Sequence, residues 1–207
     1  MTIVDDFAIL EKNGFELLPY FLAKNENEAV AAAKKIKYPV VLKVVSSEIE
    51  HKTDIGGVKV GITNEDILRH SYQDIMKKTK GKKVDGVLVQ KMARKGVELI
   101  VGGKKDPQFG HMIVLGLGGI YVEIFKDVSA RICPLGQNEI QEMISELKSH
   151  PIIDGARGRK AINKKAIIEL VIKTCSFMEK ENLGELDLNP VICDDRGCDI
   201  VDARFSR

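Results

Sequence analysis

Short apolar segments separated by turn-forming residues constrain the fold of this chain more than any other feature. Val40–Val45, Gly86–Met92 and Val97–Val101 have the length and composition of buried or half-buried strands. The last two flank Ala-Arg-Lys-Gly, which predicts a hairpin. Helices are predicted between such segments, over Lys24–Lys37 and Lys164–Glu181. This mixed order, with several hairpins, favours α+β layers over a strictly parallel doubly wound sheet.

The composition excludes several classes of protein. Of 207 residues, 44% are hydrophobic and 30% are charged, which is typical of a globular domain and not of a collagen, a mucin or a disordered chain. A net charge of +2 and the absence of Trp argue against a nucleic-acid-binding surface. The apolar runs are too short to span a bilayer and the first residues do not resemble a signal peptide, so we expect a cytoplasmic protein with no membrane contact.

The four cysteines, Cys133, Cys175, Cys193 and Cys198, do not have the spacing of a zinc site. Cys193 and Cys198 flank the turn sequence Asp-Asp-Arg-Gly, so they could face each other across a hairpin. We interpret the cysteines as small apolar side chains.

Lys43 interrupts the apolar strand Val40–Val45. A desolvated ammonium group without a partner is costly, so this side chain either reaches solvent or faces a cleft. In a cleft it could bind an anionic phosphate as a point charge.

His51 lies within a polar segment, residues 46–57, that ends in Gly56-Gly57. A loop histidine offers a free ring nitrogen as a nucleophile, and two glycines can act as a hinge. The alternative is an ordinary surface histidine in a turn.

Glu185, Asp187 and Asn189 alternate along one predicted strand, so they share one face of it. Oxygen-bearing side chains arranged in this way suit Mg²⁺. Asp202 follows the next strand after a tight turn and could meet Asn189 across the pair. The alternative is the solvent-exposed face of an edge strand.

Three further polar residues and one glycine-rich segment are candidates for nucleotide contacts. Gln90 could hydrogen-bond a base edge, and Glu98, in an apolar strand, needs a partner or a solvated cleft. Arg131 is a candidate phosphate clamp, although a structural pair with Asp127 is an equal alternative. The segment Gly116-Leu-Gly-Gly could bind an anion through its backbone N–H groups.

Taken together, these segments resemble the ATP-grasp β subunit of ADP-forming acyl-CoA synthetases. The resemblance extends from about Gly14 to Arg204 and depends on several motifs in the same order. These motifs are Tyr-Pro-Val-Val-Leu-Lys43, His51-Lys-Thr-Asp-Ile-Gly-Gly, Asp106-Pro-Gln-Phe-Gly, Gly116-Leu-Gly-Gly, Asp127-Val-Ser-Ala-Arg131 and Glu-Leu-Asp187-Leu-Asn189-Pro.

The resemblance implies an ATP-grasp fold with two α/β lobes and the nucleotide between them. Residues 1–91 would form the first, smaller lobe, including a phosphohistidine loop at 46–57, and residues 92–207 the second lobe with the Mg²⁺-binding strands. The implied ligands are ADP or ATP with Mg²⁺. The implied partner is a CoA-binding α subunit, in an α₂β₂ assembly.

The resemblance also implies which residues contact the nucleotide and the metal. Lys43 would bind the nucleotide phosphates, Gln90 and Met92 would lie at the hinge that meets the adenine, and Glu98 would support nucleotide binding. The residues expected to bind Mg²⁺ are Asn189, Asp202 and, beside them, Asp187.

His51 is implied as the residue that carries a phosphoryl group between subunits, and Lys43 and Arg131 complete the expected catalytic set. The implied reaction converts acyl-CoA, ADP and phosphate to the acid, ATP and CoA. One alternative is a succinate–CoA ligase type of β subunit, although those enzymes have a glycine-rich stretch where this chain has Glu50-His51-Lys52. A second alternative is a non-catalytic nucleotide-sensing module.

Overall fold

A computed structural model describes residues 2–49, 51–119, 126–158 and 160–207, with the side chain of Arg157 left out. The chain divides into two units, one formed by Met1–Lys12 with Leu17–Ala93 and the other by Asn13–Glu16 with Arg94–Arg207. These units differ from the expected lobes, 1–91 and 92–207, at residues 13–16 and 92–93. Their assignment as nucleotide-binding lobes stays a prediction.

The first unit contains a four-stranded antiparallel sheet in the order β1-β4-β2-β3 and three helices. Asparagine side chains cap two of these helices, since Asn25 accepts from the N–H of Glu28 at 3.0 Å and Asn64 accepts from that of Ile67 at 2.9 Å. The elements are α1 (Ile3–Lys12), β1 (Tyr20–Ala23), α2 (Glu26–Ile36), β2 (Val40–Val45), β3 (Val58–Ile62), α3 (Glu65–Lys78) and β4 (Gly86–Lys91).

The second unit contains a larger antiparallel sheet in the order β10-β8-β5-β6-β7, with β9 paired to β8. Its strands are β5 (Val97–Asp106), β6 (Gly110–Leu117), β7 (Val128–Ile132), β8 (Glu185–Cys193), β9 (Cys198–Ile200) and β10 (Arg204–Ser206). The helices among its described residues are α4 (Gln137–Glu146), α5 (His150–Ile153) and α6 (Lys164–Glu181), with a 3₁₀ turn at Ala156–Gly158.

Side chains alternate between the two faces of each sheet, and this alternation separates core residues from candidate site residues. In the first unit, α2 and α3 pack against one face, which carries Leu42, Val44, Val87 and Val89. The opposite face carries Val41, Lys43, Leu88 and Gln90. In the second unit, the face toward α4 and α6 is buried and includes Leu99, Val101, Ile113, Leu115, Leu186 and Leu188.

The predicted α+β arrangement with hairpins is confirmed, and both sheets are antiparallel. The strands β1 and β10 were not expected from the sequence. Residues 122–125 are also predicted from the sequence as a short strand, and they lie outside the described residues. None of the described helices combines the length and hydrophobicity that crossing a bilayer requires.

The interpretation of the cysteines as apolar side chains is wrong, because all four form disulfides. Cys193 and Cys198 face each other in the β8–β9 hairpin, at the place where the turn sequence allowed it. Cys133 follows β7 and bonds to Cys175 of α6. This second pair is 42 residues apart in sequence, so only the packing of α6 on the sheet brings it together.

The turn between β8 and β9 is held by a half-buried carboxylate, that of Asp194. Asp194 accepts from the backbone N–H groups of Arg196 at 2.9 Å and Gly197 at 3.0 Å, and from Nε of Arg94 at 2.6 Å. The hydrogen bond from Arg94 is the main reason that the pKa of Asp194 lies far below its usual value. The ionised form is therefore favoured in the folded state, and the turn depends on that charge.

We expect Asp194→Asn to lower the free energy of unfolding by about 1–2 kcal/mol at pH 7, because the charge-assisted bond is lost. Because the pKa of Asp194 is lower in the folded than in the unfolded state, its carboxylate stabilises the fold at pH values above the unfolded pKa of Asp. This stabilisation is lost as the pH falls through the folded pKa. The difference between variant and wild type should therefore shrink as the pH is lowered from 5 toward 2. Urea unfolding over that range measures it.

Asp195→Asn is the matched control, since Asp195 is an adjacent carboxylate whose partner, Lys160, is exposed. It should unfold as the wild type does. Equal losses for the two variants would contradict the role assigned to the Arg94–Asp194 pair.

Candidate functional site

Lys43 is a buried cation on β2. Its side chain is 4% exposed, which excludes the alternative that the ammonium group reaches solvent. In the sheet it lies opposite Leu88 of β4 and Val58 of β3. Its face of the sheet is the one that does not pack against α2 and α3.

Gln90 lies on the same face as Lys43, because Lys43 pairs with Leu88 and Gln90 is two residues further along β4. Its side chain is 1% exposed, and its Nε2 has no hydrogen-bond partner among the described residues. An unpaired buried amide costs about 1–3 kcal/mol, so a ligand atom that accepts a hydrogen bond from Nε2 of Gln90 would remove this cost.

Met92 follows β4 and is half-buried, with its N–H donated to Pro39 O at 3.2 Å.

His51 is exposed in the segment between β2 and β3, and Glu50 beside it lies outside the described residues. The glycine end of this segment is fixed: Gly57 N donates to Lys52 O at 2.7 Å, and Gly57 O accepts from Val44 N at 2.8 Å. A Cβ at Gly57 would lie 2.6 Å from Cγ1 of Val44, so this position requires glycine. Gly56 has φ +68°, which also favours glycine. The segment that carries His51 is therefore joined to the strand that carries Lys43.

Asp187 and Asn189 lie on β8 with one residue between them, as the alternation predicted. Burial is the main cause that raises the pKa of Asp187, and the nearby charge of Asp202 raises it further. Arg204, opposite Asp187 on β10, opposes that shift. Asp187, Asn189 and Asp202 form the candidate oxygen-rich cluster that the sequence predicted.

This cluster fits Mg²⁺ by the chemistry of its donors. The described residues contain no group of three or more His, Cys, Asp and Glu side chains placed to hold a metal. The cluster instead offers two carboxylates and an amide oxygen. Mg²⁺ is usually held by one or two carboxylates and completes its shell with water and substrate phosphates, so a set of this size is sufficient.

Glu98 lies at the start of β5 and is exposed, opposite Ile192 of β8. Its backbone oxygen accepts from Gly118 N at 2.6 Å, and a Cβ at Gly118 would lie 3.0 Å from the Glu98 backbone. The glycine-rich segment therefore runs directly beside Glu98, where only glycine permits the approach.

Arg131 pairs with Glu146 of α4, so the alternative of a structural pair with Asp127 is wrong, and the expected role as a phosphate clamp stays a prediction. Asp127 instead accepts from the backbone N–H groups of Lys148 at 2.7 Å and Ser149 at 2.8 Å. Arg131 lies opposite Ile113, on the helix-covered face, whereas Asp187 lies opposite Gly102 on the other face. The structure does not bring Arg131 together with the Asp187 cluster.

Comparison with known proteins identifies one family model and several relatives that match nearly the whole chain. A family model described as an ATP-grasp domain matches residues 2–206. The chain is 44% identical over 97% of its length to acetate–CoA ligase [ADP-forming] I of Archaeoglobus fulgidus, of which it spans 30%. It is 41% identical over 95% of its length to the β subunit of acetate–CoA ligase [ADP-forming] I of Pyrococcus furiosus, of which it spans 87%.

Solved structures of a dinucleotide-forming acetyl-coenzyme A synthetase 1 from Ca. Korarchaeum cryptofilum are also similar. The complex with coenzyme A, Ca-AMPCP and HgCl⁺ superposes with a TM-score of 0.95 at 39% identity, covering 100% of this chain and 92% of that one. Another structure (TM-score 0.88, 37% identity, coverage 100% and 92%) has a phosphorylated phosphohistidine segment in a site I orientation. In a third, with Mg-AMPPCP (TM-score 0.85, 38% identity, coverage 97% and 89%), that segment points towards the nucleotide-binding site.

The family model covers nearly the whole chain, and the P. furiosus relative is a β subunit of similar length. The expected family is thereby confirmed: the chain belongs to the ATP-grasp domains that form the β subunits of ADP-forming acetate–CoA ligases.

Proposed function

We propose that this chain transfers a phosphoryl group between His51 and ADP, as its part of the reversible reaction acyl-CoA + ADP + phosphate ⇌ acid + ATP + CoA. One observation carries the proposal. The exposed His51 lies in a segment whose end is hydrogen-bonded to β2 next to Lys43, the buried cation. The proposed nucleophile, His51, and the proposed phosphate-binding group, Lys43, therefore lie on two segments that a backbone hydrogen bond joins.

In the direction of ATP formation, the transfer consists of two displacements at phosphorus. A ring nitrogen of His51 attacks phosphorus of a phosphoryl donor held by the CoA-binding partner, so an N–P bond forms as the donor leaves. A terminal oxygen of ADP then attacks this phosphorus in line and the N–P bond breaks, which yields ATP and the free imidazole. Catalysis of this kind consists mainly of positioning and charge stabilisation.

Each unit contributes different groups to the nucleotide. In the first unit, Lys43 neutralises phosphate charge, and Gln90 and Met92 meet the base. In the second unit, Asp187, Asn189 and Asp202 hold Mg²⁺, and Glu98 supports nucleotide binding. Mg²⁺, when bound, offsets the charge that develops on the transferred phosphoryl group. Arg131 has no role in this assignment, because it pairs with Glu146 on the helix-covered face of its sheet.

The partner and the compartment are part of the proposal. The CoA-binding part is expected as an α subunit in an α₂β₂ assembly in the cytoplasm. The acyl group is bound by that partner, so this chain does not select the acid.

Reconstitution tests the proposal. The chain is mixed with the CoA-binding subunit from the same source, and ATP formation is followed with acetyl-CoA, an aryl-acetyl-CoA and succinyl-CoA. ATP should form only when acyl-CoA, ADP, phosphate and both subunits are present. A chain that binds Mg-ADP by calorimetry but makes no ATP with any of the three would be a nucleotide sensor. Preference for succinyl-CoA would place it with the succinate-type enzymes.

A further inference from the structure

The segment that carries His51, residues 46–57, is attached to the first unit by buried side chains as well as by its glycine end. Ile49 is 5% exposed and belongs to the buried cluster that α2 and α3 form on their sheet, together with Leu42 and Val44. Ile55, on the other side of His51, is partly buried against the same cluster. Two isoleucines therefore hold the segment on the helix-covered side of the sheet.

A carboxylate and a hydroxyl group add polar contacts to this attachment. Oε2 of Glu48 accepts from the backbone N–H of Lys83 at 3.0 Å, and the carbonyl oxygen of Lys83 accepts from Oγ of Ser46 at 2.6 Å. Oγ of Ser46 in turn accepts from Glu48 N at 3.1 Å. Lys83 lies between α3 and β4, so these bonds join the segment to a part of the first unit that is distant in sequence.

Lys43 and Gln90, the groups assigned to the nucleotide, lie on the opposite face of the same sheet. Two residues of extended chain span at most about 7 Å, so a buried Ile49 keeps the backbone of His51 close to the helix-covered side. If Ile49 leaves the core, the six residues from Val45, the end of β2, to His51 can span about 20 Å. Release of the segment thus extends the reach of His51 about threefold.

We propose that Ile49 and Glu48 hold His51 in a docked position, and that His51 reaches the nucleotide only after this position is released. The inference rests on the proposed function. In the docked position the imidazole is exposed and available to the phosphoryl donor of the partner. On release, Ile49 leaves the core and the bond from Lys83 to Glu48 breaks. Neither residue touches the transferred group, so both are positioning residues.

The docked position is held by contacts that a single substitution can weaken. One buried isoleucine and one exposed hydrogen bond each make a modest contribution, and segments that move in function are generally held by few such contacts. Removing either contact should raise the fraction of molecules in which the segment is released. His51 would then meet the nucleotide more often.

Ile49→Ala in the full chain tests the inference through the half-reaction with Mg-ATP. A ring nitrogen of His51 attacks the γ-phosphorus, the bond from that phosphorus to the β-phosphate oxygen breaks, and ADP leaves. With saturating γ-labelled ATP, we expect the initial rate of labelling to rise at least about 5-fold. Ile49→Val keeps most of the buried side chain, so its rate should be close to that of the wild type. A purely structural role for Ile49 predicts no gain in rate.

Glu48→Ala is a second variant that leaves the core intact, because the Glu48 side chain is exposed. It removes the acceptor of the Lys83 N–H, so labelling should again be faster than in the wild type. Docking itself is read without any reaction from hydrogen exchange at the Lys83 N–H in Ile49→Ala. That N–H keeps its acceptor in the sequence and should still exchange at least about 5-fold faster, because the acceptor moves away with the segment.

Ile62→Ala is the matched control, since Ile62 of β3 is 1% exposed in the same buried cluster but lies outside the segment. It should change neither the labelling rate nor the exchange at Lys83. The inference is overturned if Ile49→Ala and Glu48→Ala are labelled no faster than the wild type, or if Ile62→Ala gains as much as Ile49→Ala.

Failure of the proposed function would look different. A wild-type chain that never acquires label from ATP counts against the phosphoryl transfer by His51. Exchange at the Lys83 N–H then decides the docked position by itself: faster exchange in Ile49→Ala than in the wild type and Ile62→Ala supports it, and equal exchange in all three overturns it.

Discussion

His51→Ala should abolish ATP formation by the reconstituted enzyme and leave Mg-ADP binding intact. If the imidazole carries the phosphoryl group, no other group in the first step replaces it, and we expect a loss of at least about three orders of magnitude in turnover. The side chain is exposed, so its removal should not affect folding. The direct readout is the isolated chain with γ-labelled ATP, in which the wild type should retain label that is stable to base and released by acid.

His70→Ala is the control for this experiment. His70 is another exposed histidine of the first unit, and its Nδ1 lies 2.9 Å from the carbonyl oxygen of Asp66, one turn earlier in α3. Its loss should change neither labelling nor turnover. Retained labelling in His51→Ala, or its loss in His70→Ala, would remove His51 from the mechanism.

Local signals in the sequence predicted most of the fold. The caps at Asn25 and Asn64 and the glycine-containing turns act over a few residues, so they can be read directly from neighbouring side chains. The hairpin of β8 and β9 is also a local feature, since the turn alone sets its register. The short strands β1 and β10 carry only weak patterns, and they form because a partner strand is already in place.

Contacts between residues far apart in the chain could not be predicted from the sequence in the way that caps and turns could. Asn13–Glu16 belongs to the second unit although the residues on both sides belong to the first. The segment is held there by Lys173, which donates to Gly14 O, and by Lys180, which donates to Asn13 Oδ1 at 2.8 Å. The ring of Phe15 also packs edge-on against Phe177 at 5.4 Å. These partners lie more than a hundred residues away, and nothing in the segment itself identifies them.

In the candidate site, too, local features could be predicted from the sequence and long-range contacts could not. The spacing of Asp187 and Asn189 predicted a shared face, and both residues lie on β8 with one residue between them. The partner of Arg131 could not be predicted, because it depends on which helix covers β7. Asp127 was the nearest acid in sequence, but Glu146 of α4 is the nearest in space. Period-two alternation identifies the face of a strand, and only tertiary packing identifies what covers it.

Lys43→Met should weaken ADP binding selectively. The substitution removes the charge and keeps an unbranched side chain of similar length. A charge-assisted contact to phosphate is worth enough that we expect the dissociation constant for Mg-ADP to rise about 10- to 100-fold. Adenosine, which has no phosphate, should bind with unchanged affinity, because Gln90 and Met92 are untouched. Calorimetry with both ligands measures the ratio of the ADP and adenosine dissociation constants. Lys43→Arg keeps the charge but alters its shape, so its affinity for ADP should lie between those of the wild type and Lys43→Met.

Lys59→Met controls for the loss of a lysine from the same sheet. Lys59 lies on β3, opposite Leu42, and its Nζ is 2.5 Å from Oδ2 of Asp74, so its charge is already neutralised on the helix-covered side. Its removal should leave the affinity for ADP unchanged. An equal loss in both variants would show that net charge, rather than the position of one ammonium group, holds the phosphates. An equal loss of ADP and adenosine binding in Lys43→Met would show that Lys43 shapes the base site, and the phosphate role assigned to it would be wrong.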